Sequence, residues 1–179
     1  CVHALESDNK IGAVQAKILQ YHVEKERTIL TDHIDTVGFK LFHNRRLINE
    51  GHGQPDKGQF EKSRQIFAIE GAVPVFRVEA LRDISIDGHF TDKDYYWYGD
   101  DFDVGYRMTL FGWKQIYDPS VIAYHDRSTT TSVTNTWFDY IRRRHLRTLI
   151  PLEKRQLDWA NIRFTLIKNE YIVNILRDL

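Results

Sequence analysis

The most informative stretch of the chain is Tyr95-Tyr96-Trp97-Tyr98-Gly99-Asp100-Asp101-Phe102-Asp103-Val104-Gly105-Tyr106-Arg107. An aromatic run precedes three carboxylates within four residues, and apolar side chains then recur at helical spacing from 103 to 111 before Gly112. A carboxylate at a helix start caps the helix and interacts with its dipole, which accounts for one aspartate. The remaining carboxylates, beside an aromatic wall and like charges, suit a general base or a metal ligand. Capping and a chemical role both stay open.

Apolar patterns upstream of this stretch predict short strands and helices. We expect the end of a helix at 2–5, one strand at 11–19 and strands within 28–42 that break at Gly38. A long loop at 45–60, a strand at 66–69 and a short helix at 78–84 should follow. Downstream, we expect two short strands, at 113–117 and 121–124, around a turn at Asp118-Pro119.

Helical patterns dominate the C-terminal part. Trp137, Ile141, His145 and Leu149 recur every four residues and predict an amphipathic helix from Thr134 that stops before Pro151. A final helix is predicted from the apolar residues Ile162, Leu166, Val173 and Leu176. The expected organisation is one α/β domain at 1–133 followed by a helical tail at 134–179.

Composition narrows the class of protein. The chain has 179 residues with 25 basic and 25 acidic side chains, so its formal charge is zero and a nucleic-acid binder is not supported. Its only cysteine is Cys1, which predicts a reducing, cytoplasmic setting. We find no apolar run long enough for a membrane span and expect no signal peptide.

His125 follows the apolar run 121–124, at a point where α/β folds place chemistry. A lone histidine is more often a core or surface residue than a ligand. Imidazole nevertheless binds divalent metals readily, so a metal-binding role is kept as an alternative.

Taken together, these features resemble the group 2 family of glycosyltransferases, in its rhamnosyltransferase-like branch. The matching elements are Tyr96 to Tyr98, Asp100-Asp101, Asp103, Arg107, Gly112-Trp113, Pro119 and His125, with Glu70-Gly71-Ala72, Phe76-Arg77, Ala80-Leu81 and the loop Gly51 to Phe60 upstream. The helix predicted at Tyr140 to Leu149 also resembles one that follows the catalytic core of this family. The resemblance spans roughly residues 11 to 150.

The resemblance implies the C-terminal, acceptor-side part of a GT-A fold, with a mixed sheet, flanking helices and a helical tail. It implies an inverting transfer of a sugar from a nucleotide-diphosphate donor to a hydroxyl of a glycan or lipid-linked acceptor, as in polysaccharide and cell-wall biosynthesis. Asp101 would be the general base, with Asp100 as the other catalytic aspartate. Trp97, Gly71, Ala72, Asp103 and Arg107 would contact substrates. His125 would bind either a divalent cation, Mg²⁺ or Mn²⁺, or the diphosphate.

The nucleotide-binding strands and the metal-binding Asp-x-Asp of that family have no counterpart in these residues. We therefore expect these 179 residues alone to be inactive. Asp92-Lys93-Asp94 has the Asp-x-Asp pattern but precedes the acidic cluster, and an exposed acidic turn is the better interpretation. An exposed face where the missing half should pack would favour a homo-oligomer.

Two other functions remain open. One is a metal-dependent hydrolase that uses Asp100, Asp101, Asp103 and His125, and the other is a non-catalytic carbohydrate-binding module. A basic run, Arg142-Arg143-Arg144 with Arg147, Lys154 and Arg155, either contacts anionic lipid headgroups at the inner face of the cell membrane or forms a solvated helix face.

Overall fold

The computed structural model describes residues 1–126 and 152–177, with side chains up to residue 174. The helices are α1 (Val2–Ser7), α2 (Val78–Asp83), α3 (Asp100–Leu110), α4 (Leu152–Asn169) and α5 (Ile172–Arg177). The strands are β1 (Ile11–Glu24), β2 (Arg27–Thr36), β3 (Phe39–Leu41), β4 (Leu47–Asn49), β5 (Arg64–Ile66), β6 (Pro74–Phe76) and β7 (Lys114–Asp126). The helix predicted from Thr134 and the Arg142–Arg147 basic run lie outside the described residues, as does the predicted boundary at 133/134.

Strand β1 is the centre of a mixed sheet. The strand order is β2-β1-β7-β5, with β6 also paired to β1. Strands β1 and β7 run parallel, whereas the pairs β1–β2, β1–β6 and β5–β7 are antiparallel. The predicted α/β class with a mixed sheet is therefore confirmed.

The first half of β1 is buried on both faces. Every residue from Ile11 to Leu19 is buried, which explains the nearly continuous apolar run in this part of the sequence. Beyond Gln20 the strand extends out of the core and turns directly into β2. The turn residues Lys25 and Glu26 both have positive φ, 48° and 65°, which matches the twist that a two-residue hairpin requires.

Strand β7 corrects one prediction. The two short strands expected around Asp118-Pro119 are a single strand, and residues 119–121 form a bulge in it. Ala16 pairs with Asp118 and Lys17 with Ile122, so the residues between them have no partner on β1. Proline tolerates this position because it has no N–H for the ladder. Asp118 Oδ1 accepts hydrogen bonds from the Ser120 N–H and hydroxyl, at 3.1 and 2.6 Å, and stabilises the bulge.

Strand β5 ends earlier than predicted. Residues 67–69 leave the sheet after Ile66 because a buried side chain replaces the strand ladder. The Gln115 amide donates to Phe67 O at 2.7 Å, and its Oε1 accepts from the Ile69 N–H at 3.1 Å. The loop predicted at 45–60 also needs a correction, since β4 lies inside it and pairs with β3.

The C-terminal helices pack on α3. The single final helix expected from the sequence is divided into α4 and α5 near Tyr171. The fully buried side chains of helix α4 are both polar, Asn161 and Thr165, and the partly buried Ile162 and Leu166 pack beside them on Phe102 and Tyr106. Within the described residues, none of the helices combines the length and the apolar character needed to cross a bilayer.

Candidate functional site

Helix α3 begins at Asp100, so all three aspartates of the acidic cluster lie in its first turn. The chain enters the helix through a tight turn in which Tyr98 and Gly99 have φ of 65° and 84°. Such left-handed backbone is unfavourable for tyrosine and easy for glycine. This turn places Asp101 beside the loop that contains Gly71.

Asp101 contacts the Gly71 backbone directly. Its Oδ2 accepts a hydrogen bond from the Gly71 N–H at 3.0 Å, and its Oδ1 accepts from the Phe102 N–H at 2.8 Å. A Cβ on Gly71 would lie 3.3 Å from the Asp101 Cβ, closer than most side-chain contacts, so the close approach favours glycine. Asp101 and Gly71, both predicted as site residues, are therefore brought together.

The carboxyl group of Asp101 is held in a setting that favours its protonated form. Burial, followed by the negative charge of Glu70 and then that of Asp100, raises the pKa of Asp101 from 3.8 to about 7. The N–H donors from Gly71 and Phe102 oppose this rise because they stabilise the ionised form. A carboxyl group with such a pKa can both accept and release a proton near neutral pH.

The loop opposite Asp101 is anchored by the core. Gln15, buried in β1, accepts a hydrogen bond from the Glu70 N–H at 2.6 Å through its Oε1. The Glu70 carboxylate accepts a hydrogen bond from the Ala72 N–H at 3.0 Å. These bonds fix Gly71 and Ala72 beside the first turn of α3.

An aromatic rim, Tyr96 to Tyr98, directly precedes the acidic turn in the chain. Trp97 is 52% exposed and Tyr96 is 84% exposed, so both present ring surface to solvent. The Trp97 and Tyr98 rings stack with centroids 4.6 Å apart, and the Lys154 ammonium lies 4.6 Å from the Tyr98 centroid. An exposed ring next to carboxylates suits a sugar, whose C–H face stacks while its hydroxyls need acceptors.

Asp103 and Arg107, both predicted to contact substrates, point into the protein. Arg107 Nε lies 2.8 Å from Asp103 Oδ2, and the Asp103 side chain is completely buried. Lys168 and Asn169 bind the other Asp103 oxygen at 2.7 and 2.8 Å. Arg107 also donates to the carbonyl oxygens of Ile84 and Phe90. These contacts place both side chains in a supporting position beneath the acidic turn.

His125 belongs to a different part of the sheet. Its Nδ1 lies 2.8 Å from the buried Asp35 Oδ2, and the His52 Nδ1 lies 3.4 Å from Asp35 Oδ1. His125 is opposite Gln20 on β1, whereas Gln15 holds the Glu70 loop. At roughly 3.3 Å per residue, these two positions are about 16 Å apart along the strand. The structure therefore does not bring His125 to Asp101.

The residues available for a metal ion are few in the described part of the chain. Within residues 1–126 and 152–174, no three His, Cys, Asp or Glu side chains are arranged to hold a metal ion. The described residues thus do not by themselves fit the divalent cation that the resemblance implies, and we derive no step through it.

Four supporting residues, Gln15, Asp35, Glu70 and Asn161, received no role from the sequence. Gln15 had a usable signal, because it is one of two polar residues, with Lys17, in the otherwise apolar run of β1. Asn161 had no such signal in the sequence, because an asparagine is common in a helix with many polar residues. Comparison of the chain with known protein families, curated proteins and solved structures finds no match in any of the three.

Proposed function

We propose that these residues form the acceptor side of an inverting glycosyltransferase in which Asp101 is the general base. The observation that carries this proposal is the Asp101 carboxyl group, which has a pKa raised to about 7 and accepts a hydrogen bond from the Gly71 N–H at 3.0 Å, in the first turn of the helix that follows the exposed Trp97. The GT-A fold and the family resemblance belong to this proposal. The sheet itself supports only an α/β class.

The proposed reaction is a single displacement. An acceptor hydroxyl gives its proton to the ionised Asp101 while its oxygen attacks the anomeric carbon of the donor sugar. The new C–O bond forms as the bond to the diphosphate breaks, and the nucleoside diphosphate leaves with the electron pair. A base with a raised pKa accepts the proton more readily than an ordinary aspartate does.

The neighbouring groups have defined parts in this proposal. Trp97 stacks on the acceptor sugar, and the backbone at Gly71 and Ala72 limits the space around Asp101. Asp100 is the alternative base, since it adjoins Asp101 in the first helical turn. Asp103 and Arg107 hold the helix in place instead of contacting substrate.

The wider setting is also proposed. The donor is a nucleotide-diphosphate sugar, and the acceptor is a glycan or a lipid-linked sugar. The reaction takes place in the cytoplasm, with peripheral contact of the protein at the inner face of the membrane. The divalent cation and a homo-oligomeric state stay predictions. Of the alternatives, the hydrolase loses support from the geometry, because Asp103 and His125 are bound elsewhere within the protein.

The decisive test is made on the full-length protein that contains these residues. We expect Asp101→Asn to lower nucleoside-diphosphate release from a panel of nucleotide sugars by about 10²- to 10⁴-fold, the range typical of a lost general base. The exposed Asp94→Asn is the matched control and should keep the wild-type rate. An unchanged rate for Asp101→Asn would contradict Asp101 as the base and leave Asp100 as the candidate. Sugar binding without any transfer in the wild type would support the binding-module alternative instead.

The pH dependence follows from the same group. Because the base must be ionised, turnover should fall as the pH decreases through about 7, the value to which the pKa of Asp101 is raised. The measurement is turnover at saturating donor and acceptor between pH 5.5 and 8.5, with these values chosen to bracket about 7. A rate independent of pH across that interval contradicts the role of Asp101.

A further inference from the structure

Asn161 on helix α4 contacts the turn that precedes the acidic cluster. Its Nδ2 donates to the carbonyl oxygens of Trp97 and Tyr98 at 2.8 and 2.6 Å. Both bonds use the same amide nitrogen, so its two hydrogens are both committed to this turn. Asn161 is 8% exposed, which makes the bonds part of the interior.

The turn needs such support. Tyr98 has φ of 65°, a conformation that costs a side-chain-bearing residue on the order of 1 kcal/mol or more and persists only where neighbours impose it. Gly99 follows with φ of 84°, and a Cβ there would lie 3.0 Å from the Asn161 Cβ. Helix α4 therefore packs directly against the backbone from which α3 begins.

The contact continues along one face of α4. Thr165, one turn further, bonds the Tyr95 hydroxyl at 2.6 Å, and Lys168 reaches Asp92 and Asp103 at 2.8 and 2.7 Å. Side chains three and four residues apart share a helix face, so this polar stripe matches the groups of the segment before and within α3. The contacts are directional, and they specify one position of α4 against the turn.

We propose that Asn161 is a positioning residue of the candidate site, holding the Trp97–Gly99 turn so that Asp101 faces the Gly71 loop. The inference rests on the proposed function for its catalytic consequence, but its structural part does not. It assigns to the C-terminal helix a part in the chemistry, although that helix contributes no group to the reaction itself.

The first test measures the local stability of the turn by amide hydrogen exchange, in the absence of substrate. Asn161→Leu keeps the side-chain size and removes both donors. We expect amide hydrogen exchange at Asp103, whose N–H bonds Gly99 O at 3.0 Å, to accelerate at least about tenfold relative to amides of the β1–β7 core. Asn174→Leu is the matched control, because its amide bonds Glu170 within the C-terminal helices.

The outcomes of this test are distinct. Equal acceleration in both variants, or an equal change at Asp103 and in the core, overturns the inference because it indicates general destabilisation. If Asn161→Leu does not fold, Asn161→Ser, which keeps one donor, is measured by the same comparison. A selective acceleration at Asp103 in either Asn161 variant supports the inference.

The second test uses a double-mutant comparison in the transfer assay. We expect Asn161→Leu to lower kcat by about tenfold or more, because Asn161 holds the turn that places the base, and to leave the KM for the donor unchanged; a rise in KM should be confined to the acceptor, which stacks on Trp97. In the Asp101→Asn background the same substitution should have little further effect, since residues that act as a unit are not additive. Full additivity overturns the positioning role, whereas an inert Asp101→Asn change overturns the proposed function and leaves the exchange result to decide the structural inference.

Discussion

Asp101 is held in a position that disfavours its charged form. Partial burial and the negative charges of the neighbouring Glu70 and Asp100 raise the pKa of Asp101 to about 7. A folded protein that binds this proton more tightly than the unfolded chain does loses stability as the group ionises. Reactivity and stability therefore oppose each other at this residue.

The stability of an Asp101→Asn variant tests this opposition. The contribution of Asp101 is fully present below its ordinary pKa of 3.8 and is lost as pH rises through about 7. At pH about 8 we expect the variant to be about 1–2 kcal/mol more stable than the wild type, after discounting for partial exposure and one lost acceptor. The gain should be several-fold smaller at pH about 4.5 and should disappear below 3.8, where the folded and the unfolded protein both hold the proton.

Urea unfolding at the two pH values measures the difference, with the exposed Asp94→Asn as the control, expected within about 0.5 kcal/mol of wild type. A variant that is less stable than the wild type at the higher pH would show that Asp101 stabilises the helix start by capping it. That result would favour the structural interpretation of the aspartate over the catalytic one.

At the scale of elements, sequence patterns located most strands and helices, and they failed where a side chain replaced a backbone partner. The apolar run of β1 and the helix that ends shortly before Gly112 followed directly from periodicity. The end of β5 did not, because the Gln115 amide takes the bonds that a strand partner would make. The bulge at Pro119 was also missed, since a proline after aspartate indicates a turn equally well.

The candidate site likewise has one contact between residues that the sequence indicated, and others that the sequence could not predict. The Asp101–Gly71 contact joined two residues that the sequence had singled out, whereas His125 lies with Asp35 on another part of the sheet. Distances between elements depend on register and packing, and no local pattern encodes them. The role of Asn161 could not be predicted from the sequence, because it depends on the turn against which Asn161 packs.

Close packing of α3 on the chain after β5 gives an element-scale prediction. A Cβ on Gly105 would lie 2.3 Å from the Ala68 Cβ and 3.0 Å from Gln115 Oε1. Gly105→Ala should therefore cost about 1–3 kcal/mol through overpacking, although alanine is otherwise the better helix former. Thermal unfolding measures the loss. Adding Ala68→Gly should recover part of it, and simple addition of the two costs would contradict the direct contact.

At the scale of the whole molecule, one buried carboxylate joins three separate parts of the chain. Asp103 on α3 binds Arg107, which also holds the carbonyl oxygens of Ile84 and Phe90 after α2, and it binds Lys168 and Asn169 at the end of α4. The C-terminal helix is thus attached to the α/β part by charged contacts as well as by packing. Removing the central charge should affect the entire structure.

Asp103→Asn keeps the side-chain shape but leaves the Arg107 and Lys168 cations without their shared carboxylate. Breaking a buried ion pair from one side typically costs about 3–5 kcal/mol, because the remaining charge cannot return to water. We expect a loss in this range, measured by urea denaturation, together with a single cooperative transition if α4 unfolds with the sheet. Two separate transitions in the wild type would show that α4 is an independent unit. In that case the same substitution should lower only the transition that belongs to the helix, and the positioning of the acidic turn by Asn161 would be lost first on heating.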